Sequence, residues 1–457
     1  MRAPRALRVA AGAVVIAGVL AAGLVADGPY APGRAGANPV PGHGVRIMIV
    51  GDSITQGPSG GYTWRYRLWR HLTGADVPVD FVGPRTDLYD FVNARWNDHH
   101  YAAPHFDWDH DAVSGEPLST AMTTIGGQVR RYRPRYLLVL LGTNDLAIFH
   151  TSITESAANV RRFVASARRA EPDVRIVLGR IPPMTPNPAT GPDINTTITA
   201  YNTMISASAR SLSTRRSPIV VADAHAGYDD RRDSWDGTHP NARGELRIAA
   251  AFEDALHAGF GLGPPATRPL PRVRVGPATA PRVTARGGPG TVLLSWPAVP
   301  GASGYWLWRR EVGVDARFTR LPDPLNTRSI PWRDSGLARG VAYEYRVQPI
   351  RGRDAGVKSA PVRVTTTADG PPAPRLTARP GDGEARLTWT AAPGTKYWVL
   401  LRRAGDRGFH RLPFPVSGSP FTVAPLVNGA RYDVRLQATS GMTDGPLTNV
   451  STVVPHG

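Results

Sequence analysis

The sequence contains no cysteine. Disulfide bonds, thiolate nucleophiles and cysteine-ligated zinc sites are therefore excluded, and stability must come from buried cores. Lysine is almost absent as well, because Lys358 and Lys396 are the only two among 54 basic residues. The composition, with 41% hydrophobic and 20% charged residues, is typical of folded domains. A chain of 457 residues is too long for one core and is predicted to hold two or three domains.

The N-terminus is predicted to be an export signal. Three arginines within the first eight residues precede an apolar stretch at 9–26 that ends in small residues. We expect residues 1–26 to be a signal peptide, residues 27–44 to be a disordered linker, and the mature protein to be secreted. Because the apolar stretch is 18 residues long, the alternative is an uncleaved membrane anchor with the protein facing outside.

The net charge of +18 is unevenly distributed. Residues 46–262 carry 23 basic and 23 acidic side chains, whereas residues 263–457 carry 27 basic and 12 acidic ones, a balance of +15. This C-terminal basicity is either a solvated surface or a site for an anionic cell-wall polymer or acidic polysaccharide. Nucleic acid is not expected as a partner, because the chain is predicted to be exported and contains no recognition motif.

Residues 45–262 alternate short apolar runs with longer amphipathic stretches, which predicts a doubly wound α/β fold with a parallel sheet. The predicted strands are 45–50, 79–82, 136–141, 174–179 and 219–223. The predicted helices are 62–73, 117–133, 154–170, 193–213 and 241–257. Ligands of such folds bind beyond the carboxyl ends of the strands, and Ser53 closely follows the first predicted strand.

A Pro/Gly-rich linker at 261–280 separates this region from two similar units, at 281–367 and 372–455. Both units contain short alternating strands, and the pattern Leu-x-x-Gly-x-x-Tyr that ends at Tyr343 recurs 89 residues later, ending at Tyr432. A repeat of this length with alternating strands predicts two all-β sandwiches. The spacing resembles the tyrosine corner of fibronectin type III domains.

Four short motifs fall near the ends of the predicted strands or before the last predicted helix: GDS at 51–53, SGE at 114–116, GTND at 142–145 and DGTHPN at 236–241. A serine hydroxyl needs a base and an oxyanion site before it can act as a nucleophile.

His239 can supply the base for Ser53, and Asp236 can fix the tautomer of the imidazole. The Ser53 N–H, the Gly115 N–H and the Asn144 amide are candidate oxyanion donors. Each motif by itself is more often a helix cap or a turn. All four together, in this order, predict one catalytic site.

Taken together, these motifs resemble the SGNH (GDSL) hydrolase family, whose name-giving residues match Ser53, Gly115, Asn144 and His239. The resemblance covers residues 45–260 and implies a flavodoxin-like three-layer α/β/α domain, a Ser–His–Asp triad with Asp236, and ester hydrolysis through an acyl-enzyme without metal or cofactor. The block around Gly115 reads HDAVSGEP and lacks the asparagine that some members carry before this glycine. The nucleophile motif is not Gly-x-Ser-x-Gly, which argues against the α/β-hydrolase fold.

The substrate class is indicated by GYTWRYRLW at 61–69 and by DFVG at 80–83, which are similar to the acetyl-xylan-esterase-like branch of the family. Aromatic side chains near the strand ends could stack on sugar rings; the candidates are Tyr62, Trp64, Trp96, Trp108 and Trp235. The alternative is that half or more of them pack helix faces, since Trp64 and Leu68 have helical spacing.

Four histidines lie among acidic residues at 96–116. A divalent metal site is conceivable there, but a polar rim of the active site is the favoured interpretation, and no metal is predicted.

The sequence thus predicts a secreted serine esterase that deacetylates polysaccharide. Two alternatives remain open. One is a lipase or thioesterase that acts on other acyl esters, and the other is a wall-binding adhesion protein with a residual hydrolase domain.

Overall fold

The computed structural model describes residues 44–327, 330–368, 370–440 and 443–457. The predicted signal peptide at 1–26 lies outside the described residues, as does the predicted linker at 27–44 except for its last residue. The described chain divides into two compact units. One contains residues 44–240 and 244–271, and the other contains residues 241–243 and 272–457.

The first unit is built on a parallel sheet. Its strands are β1 (Val45–Gly51), β2 (Val79–Phe81), β5 (Asp111–Ala112), β6 (Tyr136–Leu140), β7 (Arg175–Arg180) and β8 (Ile219–Asp223). The order across the sheet is β2-β1-β6-β7-β8. The short β5 pairs with the carboxyl end of β1, on the same side of β1 as β2. This is the doubly wound, flavodoxin-like order, and each long strand lies within a residue or two of its predicted position.

Helices cover the sheet on both faces. They are α2 (Thr63–Thr73), α3 (Leu118–Tyr132), α5 (Ile153–Ala170), α6 (Ile194–Leu212) and α7 (Ala242–Phe260). Helix α5 packs between α3 and α6, whereas α2 contacts α7 through stacked Trp64 and Phe252 rings. The strand side chains between these layers are almost completely buried, so the continuous apolar runs of the sequence form the core.

Four shorter elements complete the first unit at the carboxyl ends of the strands. They are the helices α1 (Ser53–Gln56) and α4 (Thr143–Ala147) and the antiparallel pair β3 (Leu88–Asp90) and β4 (Arg95–Asp98). Both short helices directly follow a central strand, which places their first residues at the edge of the sheet where ligands bind in this fold.

The second unit consists of antiparallel sheets in two successive modules. The first module contains β9 (Thr284–Gly288), β10 (Thr291–Ser295), β11 (Gly304–Glu311), β12 (Thr319–Arg320), β13 (Leu325–Asn326), β14 (Trp332–Ser335), β15 (Ala342–Arg351), β16 (Asp354–Ala355) and β17 (Val362–Thr365). The second contains β18 (Thr377–Gly381), β19 (Glu384–Thr388), β20 (Lys396–Arg403), β21 (His410–Arg411), β22 (Phe421–Val423), β23 (Tyr432–Ser440), β24 (Thr443–Leu447) and β25 (Ser451–Val453).

In each module a three-stranded sheet and a larger sheet enclose a separate apolar core, consistent with a β-sandwich. The repeated tyrosines make the same contact in both modules. The hydroxyl of Tyr343 accepts a hydrogen bond from the Ala338 N–H at 3.2 Å, and that of Tyr432 accepts one from the Val427 N–H at 3.1 Å. The finer assignment to the fibronectin type III family stays a prediction.

Across the described ranges, no helix is both long enough and apolar enough to cross a membrane.

Candidate active site

Ser53 lies at the junction between β1 and α1, at the carboxyl edge of the sheet. The preceding Asp52 caps the short helix, because its side chain accepts a hydrogen bond from the Ile54 N–H at 2.9 Å. The turn requires glycine at position 51, since a Cβ atom there would lie 2.2 Å from the Thr55 hydroxyl. The strand-to-helix turn therefore fixes the serine with little freedom, and Ser53 is 8% exposed.

A hydrogen-bonded relay connects Ser53 with His239 and Asp236. The Ser53 Oγ atom lies 2.9 Å from His239 Nε2, and His239 Nδ1 lies 2.7 Å from Asp236 Oδ2. The side chains of His239 and Asp236 are 14% and 23% exposed. The structure thus brings together the three residues that the sequence predicted as nucleophile, base and orienting acid.

The Asp-x-x-His segment forms a rigid turn before α7. The Asp236 Oδ1 atom accepts the N–H groups of Thr238 and His239 at 3.0 and 2.7 Å, so one carboxylate holds both the backbone and the imidazole. Gly237 adopts a φ of +104°, a conformation that other residues rarely adopt. Its N–H donates to the Ser234 hydroxyl at 2.8 Å. These contacts explain why a three-residue spacing suffices to aim His239 at Ser53 and Asp236 at the other nitrogen of the imidazole.

The pKa values of the relay favour an ionised acid beside a basic imidazole. Burial opposes ionisation of Asp236, but the charge of His239 and hydrogen bonds from His239 and Thr238 outweigh it and hold the pKa of Asp236 below its ordinary value. Burial likewise disfavours charge on His239, yet the Asp236 carboxylate raises the His239 pKa above its usual range. An imidazole whose Nδ1–H faces a carboxylate presents Nε2 to Ser53 as a proton acceptor.

Asp52 is a second carboxyl group close to the relay, and it is buried. Burial raises its pKa to about 7, against the opposing effects of the Ile54 hydrogen bond and the His239 charge. Its Oδ2 atom is buried and has no hydrogen-bond partner within the described part of the chain. Its capping contact with the Ile54 N–H makes Asp52 a structural hydrogen-bond acceptor of the nucleophile turn.

Two predicted oxyanion donors lie close to each other. Asn144, on α4, donates from Nδ2 to the carbonyl of Glu116 at 3.2 Å, next to Gly115 in the chain. Gly115 has a φ of +85° and open space where a Cβ would be. Gly142, which precedes α4, allows the Tyr201 ring to approach so closely that a Cβ would lie 2.3 Å from it. The Asn144–Glu116 hydrogen bond therefore holds Asn144 beside the loop that carries Gly115.

The loop that carries Gly115 is tied to the nucleophile turn. The Ser114 N–H donates to Gln56 Oε1 at 2.8 Å, and the Val113 N–H donates to the Gly51 carbonyl at 3.0 Å. These bonds connect residues 113 and 114 with the start of the nucleophile turn at Gly51 and with the end of α1 at Gln56. The position of Gly115 is therefore held through its neighbours by one backbone contact and one Gln56 contact.

Arg65 is a supporting residue that sequence reasoning missed. Its side chain is fully buried on α2 and donates to the carbonyls of Thr55 and Gln56 at 3.0 and 3.1 Å. It also donates to the Trp108 carbonyl at 2.9 Å. The sequence gave no sign that Arg65, next to Trp64 on the predicted helix, would be buried, because arginines on helices are usually solvated.

Aromatic rings cover the imidazole. The Trp235 ring stacks on the His239 ring at 5.5 Å between centroids, and the Phe91 ring lies 4.5 Å from it. Trp235 was predicted near the site, but Phe91 was not, since it follows a strand too short to be predicted. Both rings shield the His239–Asp236 pair from water on one side.

The predicted sugar-stacking role of Trp64 is wrong. Trp64 is fully buried and stacks on Phe252 at 4.6 Å with an interplanar angle of 12°. Its indole N–H donates to the Thr55 hydroxyl at 3.3 Å. The helical spacing with Leu68 therefore indicated a core face, the alternative given above.

The other predicted aromatics occupy different settings. Tyr62 is half-buried beside Tyr66, with the Arg67 guanidinium 4.4 Å from its ring. Trp108 stacks on Tyr101 at 4.8 Å within a small separate cluster. Trp96 is 42% exposed and packs against Tyr89. Their roles in substrate binding stay predictions.

The histidines at 96–116 make separate contacts. His110 is buried between the Ala112 N–H and the Asp87 carbonyl, at 3.1 and 2.9 Å, so its ring is neutral and structural. His100 contacts Asp98 at 3.0 Å. Among the described residues, no group of three or more histidine, aspartate or glutamate side chains is arranged to hold a metal ion.

Comparisons with known proteins place this site in a family. Residues 49–247 match the model of the GDSL-like Lipase/Acylhydrolase family. A multidomain esterase of Ruminococcus flavefaciens is 26% identical over 238 residues, which are 49% of this chain and 30% of that relative. The chain therefore matches less than a third of that relative's length.

Two solved structures are 31% identical to this chain. One is an acetyl esterase mutant with acetate ion, with 45% of this chain and 92% of the other covered at a TM-score of 0.38. The other is a carbohydrate esterase family 3 protein from Talaromyces cellulolyticus, with 46% and 94% covered at a TM-score of 0.39. Residues 49–247 therefore form a GDSL-like lipase/acylhydrolase domain of the SGNH type.

Proposed function

We propose that the protein is a secreted serine esterase that removes acetyl groups from a polysaccharide through an acyl-enzyme. The observation that carries the catalytic part is the unbroken relay from Ser53 Oγ to His239 Nε2 at 2.9 Å and from His239 Nδ1 to Asp236 at 2.7 Å. An isolated serine cap would not need a histidine and an aspartate aligned behind its hydroxyl.

In the first half-reaction, Ser53 Oγ attacks the ester carbonyl while His239 Nε2 takes the hydroxyl proton. Asp236 keeps the Nδ1–H tautomer and stabilises the imidazolium that forms. The Ser53 N–H, the Gly115 N–H and the Asn144 Nδ2 donate hydrogen bonds to the oxyanion. His239 then protonates the leaving alcohol.

In the second half-reaction, His239 takes a proton from water, and the resulting hydroxide attacks the acyl-Ser53 ester. Collapse of the second tetrahedral intermediate releases acetate, and His239 returns the proton to Ser53. The chemistry requires only side chains and backbone N–H groups of this chain.

The polysaccharide assignment rests on the GYTWRYRLW and DFVG blocks and on the aromatic side chains around the site. The rings of Trp235 and Phe91 pack against the His239 imidazole, and Trp96 lies exposed on β4. Flat aromatic rings of this kind can stack on the faces of pyranose rings. The complete relay disfavours a residual hydrolase domain in an adhesion protein.

The second candidate is a lipase or thioesterase. One observation favours it: Ile148 and Phe149, which end the segment that carries Asn144, are 37% and 56% exposed. An apolar acyl chain could lie along them.

The test measures acetate release from acetylated xylan and from acetylated peptidoglycan, together with hydrolysis of p-nitrophenyl acetate, butyrate and palmitate. We expect acetate release from the polysaccharide and fastest turnover of the acetate ester, with both lost in Ser53→Ala at unchanged Tm. Faster turnover of palmitate than of acetate would overturn the carbohydrate assignment. Undiminished turnover in Ser53→Ala would overturn the mechanism.

A further inference from the structure

The larger sheet of the first C-terminal module carries a row of aromatic and basic side chains on its outer surface. Along β11, Tyr305 and Leu307 point into the core, and the alternate residues Trp306 and Trp308 lie on the opposite face. Trp308 is directly paired with Arg346 of β15. We refer to Trp306, Trp308, Phe318, Arg320, Arg346 and Lys358 as the cationic aromatic face.

Each cation of this face lies over a ring. The Arg320 guanidinium is 4.1 Å from the Trp306 centroid, and the Lys358 Nζ is 3.4 Å from the Trp308 centroid. The Arg346 guanidinium is 5.0 Å from the Phe318 centroid. Such contacts hold a positive group in a fixed position and reduce the entropy lost when it binds an anion.

The three cations lack acidic partners. Within the described ranges, Arg320, Arg346 and Lys358 form no ion pair, and Arg346 Nε is buried without a hydrogen-bond partner. Although Lys358 is exposed, partial desolvation lowers its pKa, and the positive charges of Arg346 and Arg320 lower it further. Both arginines thus repel Lys358, and a bound anion would relieve that repulsion.

In the second module, the arginine that corresponds to Arg320 has an acidic partner that neutralises its charge. Arg411 has the register position of Arg320 and lies 4.6 Å from the Trp398 ring. Arg411, however, pairs with Asp444 at 3.2 Å. In the first module the acid on this face, Glu344, pairs with Arg310, so Arg320, Arg346 and Lys358 keep their charges available for a ligand.

We propose that the cationic aromatic face binds a polysaccharide that carries carboxylate groups, such as a polyuronate. Planar guanidinium groups bind carboxylates through two parallel hydrogen bonds, and a row of fixed cations is complementary to a polyanion. Nucleic acid fits less well, because base stacking needs free ring faces and cations already occupy these rings. The choice of a polysaccharide rests on the proposed function, whereas the anionic character rests on the face itself.

The test uses the full chain and sodium polygalacturonate as the probe, with Kd measured by affinity electrophoresis at 50 and 500 mM NaCl. The test variant is Arg320→Gln/Arg346→Gln/Lys358→Gln. The matched control is Arg333→Gln/Arg379→Gln/Arg386→Gln, which removes the same charge from exposed strand positions of the smaller sheets of the same unit. We expect the test variant to weaken binding at least about tenfold and the control to change it less than about twofold.

Equal weakening in both triple variants would overturn the proposal, since net charge would then explain the binding. Tighter binding of single-stranded DNA than of polygalacturonate, or wild-type binding unchanged at 500 mM NaCl, would also overturn it. If the triple variant does not fold, Lys358→Gln alone serves, because Lys358 is exposed. Hydrolysis of p-nitrophenyl acetate is measured in parallel; its absence from the wild type would refute the proposed function without affecting the binding result.

Discussion

The Nε2 atom of His239 lies 2.9 Å from the Oγ atom of Ser53, although 186 residues separate them in the chain. The two meet because β1 ends at Gly51 and the turn that precedes α7 returns to the same edge of the sheet. The contact makes the hydroxyl a hydrogen-bond partner of a base that Asp236 orients. Four of the five predictions below concern this contact or the groups around it.

Asp236→Asn should lower kcat for p-nitrophenyl acetate by on the order of 10³- to 10⁴-fold, because an amide can favour the wrong imidazole tautomer and cannot stabilise the imidazolium. The measurement is steady-state kinetics. Asp229→Asn is a control in the same segment, and we expect it to retain activity. A decrease of less than about tenfold in Asp236→Asn would show that Asp236 does not orient the base.

The activity should depend on pH through His239. The base must be neutral, so kcat/KM should fall as the pH drops through the His239 pKa, which lies above its ordinary value of 6.5 because of Asp236. Removal of the carboxylate in Asp236→Asn should move this acidic limb to lower pH. A limb at the same pH in both proteins would contradict the assignment of the titrating group.

Asn144→Ala should reduce kcat about 10²- to 10³-fold with little change in KM, since a lost oxyanion donor acts mainly in the transition state. The control is Asn202→Ala, whose amide bonds both backbone groups of Ile181 at 2.9 Å, away from the reacting atoms. That variant should lower Tm and leave kcat of the folded enzyme unchanged. A lower Tm with unchanged kcat in Asn144→Ala, together with a reduced kcat in Asn202→Ala, would show that Asn144 is not an oxyanion donor.

Trp64→Ala should destabilise the first unit by about 3–5 kcal/mol without a specific effect on substrate binding, because Trp64 fills the core against Phe252. Denaturant unfolding measures the first quantity and KM for acetylated xylan the second. Trp96→Ala is the counterpart on the surface and should leave stability within about 0.5 kcal/mol of the wild type. Unchanged stability in Trp64→Ala would contradict the core assignment.

Asp52→Asn should stabilise the domain at alkaline pH. The folded pKa of Asp52, about 7, exceeds its ordinary value of 3.8, so the folded state binds more protons than the unfolded state between those values. Its contribution to stability is therefore complete below pH 3.8 and is lost as the pH rises towards 7. Asparagine keeps the cap without the charge, and the gain at pH 8 should be on the order of 4 kcal/mol at most.

The measurement for Asp52 is the free energy of unfolding of both proteins at pH 5 and pH 8. The difference between variant and wild type should be larger at pH 8. An equal difference at both values would show that Asp52 does not titrate in this range.

Much of the fold could be predicted because the signals are local. The run at 136–141 is apolar throughout, as a strand buried on both faces must be, and its strand β6 is central and fully buried. The run at 219–223 is apolar up to its last residue, Asp223, and became the partly buried edge strand β8.

Ser53 and Asn144 could be predicted for a related reason, since the carboxyl ends of parallel strands share one edge. A residue that directly follows such a strand therefore lies at this edge of the sheet, and the sequence alone predicts that position. His239, on the turn before α7, was predicted from its Asp-x-x-His motif instead.

The sequence by itself thus determined the α/β pattern, the repeated modules and the motifs that carry the chemistry. Only the tertiary structure decided that Trp64 lies in the core, that Arg65 is buried against the nucleophile turn, that Phe91 covers His239, and that Arg320 lacks the acid that Arg411 has. The physical reason is that periodicity reports which side of an element is apolar, whereas burial of a particular ring or charge depends on side chains brought from distant parts of the chain.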